Sequence, residues 1–433
     1  MELTFTLRNV LVGSSLLGVI CGILGTFALL RRQSLLGDAL AHAALPGVCV
    51  AFLIAGTKDP LVLLAGALAS GTLGALIIIG VVRWSRVKED SAIGIVLSVF
   101  FGLGIVLLTR IQKLPGGNQS GLDRYLFGQA ATLVTHDIVV MAVLGGFALV
   151  ALALFYKEFK LLAFDRAFGA SLGFPMRALE IGLTCLLVMV VMVGLQTVGV
   201  VLMVATLITP AAAARQWTDR LGVMAILSGA IGGIAGAAGS LVSASVGRLP
   251  TGPSIVIVSS LVLVVSLLFA PQRGMIWAWR RERLVRERIR SENLLKDLYR
   301  VGEEGERWGD FASRPALMGL RGQSGYDFAR FVRPLIREGL VESSGDDLRL
   351  TGRGLEEAER VVRKHRLWEV YLARRLELPA DHLHRDAEAM EHALTEEAVD
   401  EIERRFDYPE VDPHGQRIPR RRGAARTAKD ARG

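Results

Sequence analysis

The sequence predicts an α-helical polytopic membrane protein of about nine transmembrane helices, with a cytoplasmic winged-helix plus helical, dimerisation-like C-terminal domain. Three observations predict it. Charge divides the 433 residues unevenly: residues 1–270 hold 17 Lys/Arg and 11 Asp/Glu, and by subtraction from totals of 50 and 42 the last 163 residues hold 33 and 31. The first part contains repeated uncharged runs of bilayer length. Its basic residues fall mostly in alternate loops, as the positive-inside tendency requires.

A helix crossing ~30 Å of hydrocarbon needs roughly 20 apolar residues. Uncharged runs of that order occupy residues 9–30, 39–57, 60–82, 91–109, 138–156, 221–247 and 249–270. A longer charge-free run, 181–214, would extend about 50 Å as one helix at ~1.5 Å per residue, too far for one crossing. Gly194, Gln196, Thr197 and Gly199 mark its break, so two helices are expected, near 176–195 and 198–214. In the loops, Arg31 and Arg32, then Arg83, Arg86 and Lys88, then Lys157, Lys160 and Arg166, then Arg215 and Arg220 alternate with less basic connections. Arg110, Lys113, Arg124 and Arg248 are exceptions. This arrangement puts the N-terminus outside and the charged C-terminal region inside.

The first apolar run has Glu2 ahead of it and only Arg8 as positive flank, which reads as a mature span and not a cleavable signal. Cys21, Cys49 and Cys185 all lie in apolar segments without CxxC spacing, which argues against a disulfide framework or a thiolate zinc site. Small residues recur at helical spacing: Gly229, Gly233 and Ala237 on one face, Gly232, Gly236 and Ser240 on another. Such positions let membrane helices approach closely.

Asp38 and His42 open an otherwise uncharged stretch, GDALAHAALPGVCVAFLIAGT. Asp38 follows Gly37 at a helix start, where an acid can cap free amides. His42 stands one turn further on the same face, and ionisable groups at membrane depth mark ion or substrate paths. A carboxylate and an imidazole at i and i+4 suit Mn, Fe or Zn. Pro46, one turn later, frees a backbone carbonyl.

GDALAHAALPG at 37–47 resembles the signature of permease subunits of ATP-binding-cassette importers for manganese, zinc and iron. TVGVVLMVATLITPAAAAR at 197–215, LPTGPSIVIVSSLVLVVSLLF at 249–269 and FDRAFGASLGFP at 164–175 extend the resemblance over about residues 10–270. It implies that Asp38 and His42 line the metal pathway in a bacterial inner membrane. It also implies that a coupling segment comprising Asp165, Arg166, Ala167, Gly169 and Gly173 docks into a separate ATPase subunit. Independently of that, the segment is polar, Gly-broken and on the expected cytoplasmic face. The family further implies an extracytoplasmic metal-binding protein and a second permease copy, identical or related. No GxxxxGK[ST] phosphate cradle occurs in the sequence, so ATP hydrolysis is expected in another polypeptide and this chain is not expected to be an enzyme. No permanently bound cofactor is expected; Mn, Fe or Zn is the substrate.

Beyond 1–270, residues 271–290 contain MIWAWRRERLVRERIR, which suits a basic interfacial anchor on membrane lipid. Residues 291–350 read as three helices and a short hairpin around Ser-Gly-Asp-Asp, a winged-helix pattern. Residues 351–420 read as helical, and 421–433 as a basic tail. Glu388, Glu391 and His392 fall at i, i+3 and i+4 on one helix face, and His365 on the preceding helix could complete a cation site. RKHRLWEVYL, AEAMEHALT and DPHGQRIP resemble regulators of the diphtheria toxin repressor type, whose likeness implies metal ligands at those four positions. The pattern departs at Asn293 and Lys296, where the family draws carboxylate ligands; an ammonium repels an incoming cation. Arg330, Arg333 and Arg337 could meet phosphates, but Asp327 and the membrane tether argue against DNA as a partner. Two other readings stay open: a membrane-tethered metal-dependent transcription regulator, and an ion-gradient-driven carrier.

Overall fold

The computed structural model describes residues 5–57, 59–113, 133–246, 249–304, 312–321, 325–376 and 394–420. Two compact units divide between Ala278 and Trp279.

In the first unit the long helices are α1 (Phe5–Leu30), α2 (Leu36–Ala55), α3 (Pro60–Trp84), α4 (Glu89–Gln112) and α5 (Thr135–Leu154). Two short helices follow, α6 (Tyr156–Phe164) and α7 (Arg166–Ser171). Then come α8 (Met176–Val198), α9 (Val200–Trp217), α10 (Leu221–Ser245) and α11 (Thr251–Phe269). Among the described residues eight of these helices are long and apolar enough to cross a membrane, and α9 is packed among them. The break between α8 and α9 is Gly199, at φ 83° and ψ 166°. That region of backbone space is essentially open to glycine alone, which is why the long apolar run divides there.

Turn chemistry sets the other boundaries. Asp59 accepts from the Leu61 N–H at 2.9 Å, with Pro60 at the first helical position of α3. Gly56, left-handed at φ 63°, closes α2. The small-residue faces of α10 both lie against α1: a Cβ on Gly232 would come within 2.1 Å of the Gly18 carbonyl oxygen, and one on Gly229 within 2.8 Å of Ile23. Ser14 and Ser240 hydroxyls meet at 2.7 Å across the same seam. The expected small-residue stripes therefore serve helix packing, with serines satisfying one another where water is absent.

In the second unit, α12 (Met275–Glu304) begins in the first unit's last residues and continues without a break through residue 290. A three-stranded antiparallel sheet, β1 (Ala312–Ser313), β3 (Asp347–Leu350) and β2 (Val341–Ser344) in that order, packs with α13 (Arg314–Arg321) and α14 (Gly325–Arg337). This is the winged-helix arrangement, with β1 added to the expected hairpin. Its core holds Leu294, Leu298, Phe328, Val332, Leu335 and Leu348. A second core, built on α15 (Gly352–Leu376) and α16 (Glu396–Arg405), gathers Leu367, Val370, Val399, Ile402 and Ile418.

Candidate metal pathway and coupling segment

α2 lies between α3 and α4 with little slack. A Cβ on Gly47 would come within 2.1 Å of the Gly66 carbonyl on α3, and one on Gly104 of α4 within 2.7 Å of Leu45. On this helix His42 Nε2 faces Asp38 Oδ1 at 3.4 Å, longer than a normal hydrogen bond. Their side chains are 17% and 32% exposed, so neither is sealed in the core. The His42 ring stands edge-to-face on Phe101 of α4, with centroids 4.7 Å apart. His42 Nδ1 is buried without a hydrogen-bond partner. Such an orphan in a membrane interior needs an explanation, and a transient ligand is one.

Pro46 lies inside α2 and lacks the N–H that would bond the His42 carbonyl. Next to that gap, Ser70 of α3 donates to the Ala43 carbonyl at 2.6 Å. One carboxylate, one imidazole and a carbonyl freed from the helix ladder thus belong to one turn of α2. The capping reading of Asp38 is corrected. The residue before α2 is Leu35, no side chain caps the helix, and Asp38 sits within the first turn with its carboxylate toward His42. Among the described residues no group of three or more His, Cys, Asp or Glu is arranged to hold a metal. The pair offers one carboxylate and one imidazole on neighbouring turns of a single helix face.

The segment 164–175 folds as a capped helical hook. Asp165 separates α6 from α7 and accepts from the Phe168 N–H at 2.9 Å. Gly169 is the buried inner residue, where a Cβ would meet Met176 at 2.3 Å; Gly173 turns the chain at φ 86°. Arg166 and Ala167 are exposed, as are Phe164, Phe168, Leu172 and Phe174. Four exposed apolar side chains on a polar, basic connector form an apolar ridge. Sequence reasoning missed a residue that links this hook to the turn after α1. Glu180 of α8 receives Arg166 Nη2 at 2.8 Å on one oxygen and Arg31 Nη2 at 2.7 Å on the other. Gln33 donates to Glu89 at the start of α4, and Arg273 reaches Asp219 at 2.6 Å. The first of these bonds gather the connections around residues 31–33, 89 and 166–180, and the last joins the loops at 219 and 273.

In the C-terminal unit, Glu388, Glu391 and His392 lie outside the described residues. His365 is buried, with Nε2 at 3.1 Å from Glu369 Oε1, and His414 Nε2 is 3.9 Å from the same oxygen. Sequence reasoning passed over Glu369 and His414; the i,i+4 step from His365 to an acid on an apolar stripe was the available signal for Glu369. Lys296 is 1% exposed and Asn293 9%, with Asn293 Oδ1 buried and partnerless. A buried ammonium where a carboxylate ligand is expected does not fit a cation beside it. Below these, Arg366 is almost fully buried and holds Glu303 at 2.5 Å, Gln416 at 2.8 Å, the Arg417 carbonyl and Asp412.

A tightly packed polytopic bundle with an acid and a histidine inside it and an exposed helical hook has the architecture of a membrane-spanning transport subunit. The chain belongs to the ABC 3 transport family, whose model matches residues 4–270. Residues 351–420 match the iron dependent repressor, metal binding and dimerisation domain. The manganese transport system membrane protein MntC of Bacillus subtilis is 44% identical over 370 residues, covering 85% of this chain and 84% of that protein. The zinc transport system membrane protein TroC of Treponema pallidum is 47% identical over 281 residues, 65% of this chain and 94% of that protein. Among solved structures, PsaBC from Streptococcus pneumoniae in complex with Fab matches with a TM-score of 0.56 and 33% identity, over 62% of this chain and 94% of that one.

Proposed function

We propose that this chain is the membrane-spanning permease of an ATP-driven importer of divalent transition-metal ions, with Mn or Fe the first candidates and Zn next. The observation that carries the reading is the Asp38–His42 pair, 3.4 Å apart, with a buried, partnerless imidazole nitrogen beside it. The names of the manganese and zinc transport relatives support the substrate class. A neutral imidazole and a carboxylate are the donors such ions accept, and two of them from one helix hold an ion weakly enough to release it. The ion arrives from an extracytoplasmic metal-binding protein and meets Asp38 and His42. The remaining ligands come from water, from the freed His42 carbonyl and from a second permease copy.

Energy enters at the hook: Asp165, Arg166, Ala167, Gly169 and Gly173 shape the surface on which the cytoplasmic ATPase subunit sits. The orientation that follows puts the C-terminal unit in the cytoplasm of a bacterial cell, beneath the inner membrane. There it acts as a dimerising or metal-sensing lobe, any metal being held by His365, Glu388, Glu391 and His392 with no ligand from Asn293 or Lys296, and with the basic start of α12 against the lipid surface. Uptake of labelled Mn by cells expressing Asp38→Ala or His42→Ala, with Fe and Zn as competitors, tests the reading. Each variant is expected to lose at least about tenfold in uptake while inserting normally, and wild-type uptake by both would overturn it.

A further inference from the structure

The turn 31–35 that leads into α2 is built unlike an ordinary connector. Arg32 holds a left-handed backbone, φ 60°, which residues with a Cβ adopt rarely. Arg31 is 8% exposed and donates through Nη2 to Glu180, while its Nη1 is buried with no acceptor. Gln33 donates through its side-chain amide to Glu89, and its side-chain Oε1 is buried with no donor. Burial pulls the Arg31 pKa down from the ordinary guanidinium value, against Glu180 and Glu89, both of which hold the charge in place. A half-satisfied buried polar network is costly, and it persists where a second arrangement uses the spare groups.

The turn's neighbours define that second arrangement. Toward the hook, Glu180 bridges Arg31 to Arg166, the first residue of α7. Toward the pathway, turn 31–35 leads directly into α2, with Asp38 in its first turn, and Glu89 begins the helix that carries Phe101 against His42.

We propose that Arg31 and Glu180 are positioning residues for transport. The Arg31–Glu180–Arg166 chain passes a displacement of the hook into turn 31–35, and so into the helix that holds the ion. When the hook draws Glu180 away, Arg31 turns its spare Nη1 to Glu89, which lets go of Gln33, and the head of α2 shifts against α4. This rests on the docking role given to residues 164–175 above. It names a bistable element between the two sites, which coupling requires.

The test uses the full transporter with its ATPase subunit, reconstituted in liposomes, and reads Mn transported per ATP hydrolysed. Glu180→Gln is expected to lower that ratio about tenfold, with ATP hydrolysis and subunit co-purification within twofold of wild type. Glu180→Asp is expected to restore part of the ratio. The double variant Arg31→Gln with Glu180→Gln leaves no unpaired buried charge from this pair, which guards against misfolding, and is expected to remain uncoupled. A wild-type ratio in the double variant overturns the proposal. So does a parallel loss of hydrolysis and co-purification, because Glu180 would then only support docking. Mn binding by the ATP-free complex separates this from the transport reading: Glu180→Gln keeps it, whereas failure of the Asp38–His42 assignment shows as binding unaffected by Asp38→Ala.

Discussion

Asp38 and His42 stand in the first two turns of α2, where the helix could have been made of hydrocarbon throughout. The imidazole keeps its place through Phe101, whose ring meets it edge-to-face at 4.7 Å. Such a contact is worth roughly 0.5–1.5 kcal/mol. Phe101→Ala is therefore expected to weaken Mn binding about two- to tenfold while Asp38 and His42 remain, as read by equilibrium binding to the purified protein. The pair itself was legible because i,i+4 spacing is a local property of a helix. The direction of the Asp38 carboxylate was not, since capping and pairing begin from the same position. Glu180 was invisible for a plainer reason: it meets Arg31 149 positions away, and no periodicity encodes that.

At the scale of elements, the division of the long apolar run was read from length, and the structure supplies the cause in Gly199 at φ 83°. A side chain there strains the backbone by roughly 1–3 kcal/mol. Gly199→Ala is expected to lower the thermal midpoint in detergent by several degrees and to reduce uptake, because α8 and α9 both pack around α2. A variant with wild-type midpoint and uptake would show that the break tolerates a Cβ. In the C-terminal unit the hairpin was readable from its Ser-Gly-Asp-Asp turn, whereas β1 was not. It has two residues and takes its conformation from pairing with Leu348 and Asp347. Arg366 likewise lay unnoticed in RKHRLWEVYL. Arg366→Met leaves the Asp412 carboxylate, 2% exposed, without its guanidinium. The loss expected is about 3–5 kcal/mol, seen as early unfolding of the C-terminal unit in a full-length melt.

At the scale of the whole molecule, an apolar bundle and a charged, regulator-like unit share one chain, and that division was readable from charge alone. Two metal-associated families on one polypeptide motivate the idea that imported metal restrains its own entry. Truncation after residue 272 is expected to preserve uptake and abolish its inhibition by internal metal, measured as initial rates at low and high metal preload. Inhibition that survives truncation would assign it elsewhere.

The most direct test of the central claim is the stoichiometry of Mn bound by the full-length protein, followed by the electron paramagnetic resonance signal of the free ion. The Asp38→Ala, His42→Ala double variant, correctly inserted, is expected to bind one ion fewer per pair of permease copies than wild type. Equal stoichiometry and affinity in the two proteins would contradict an ion passing between that carboxylate and that imidazole.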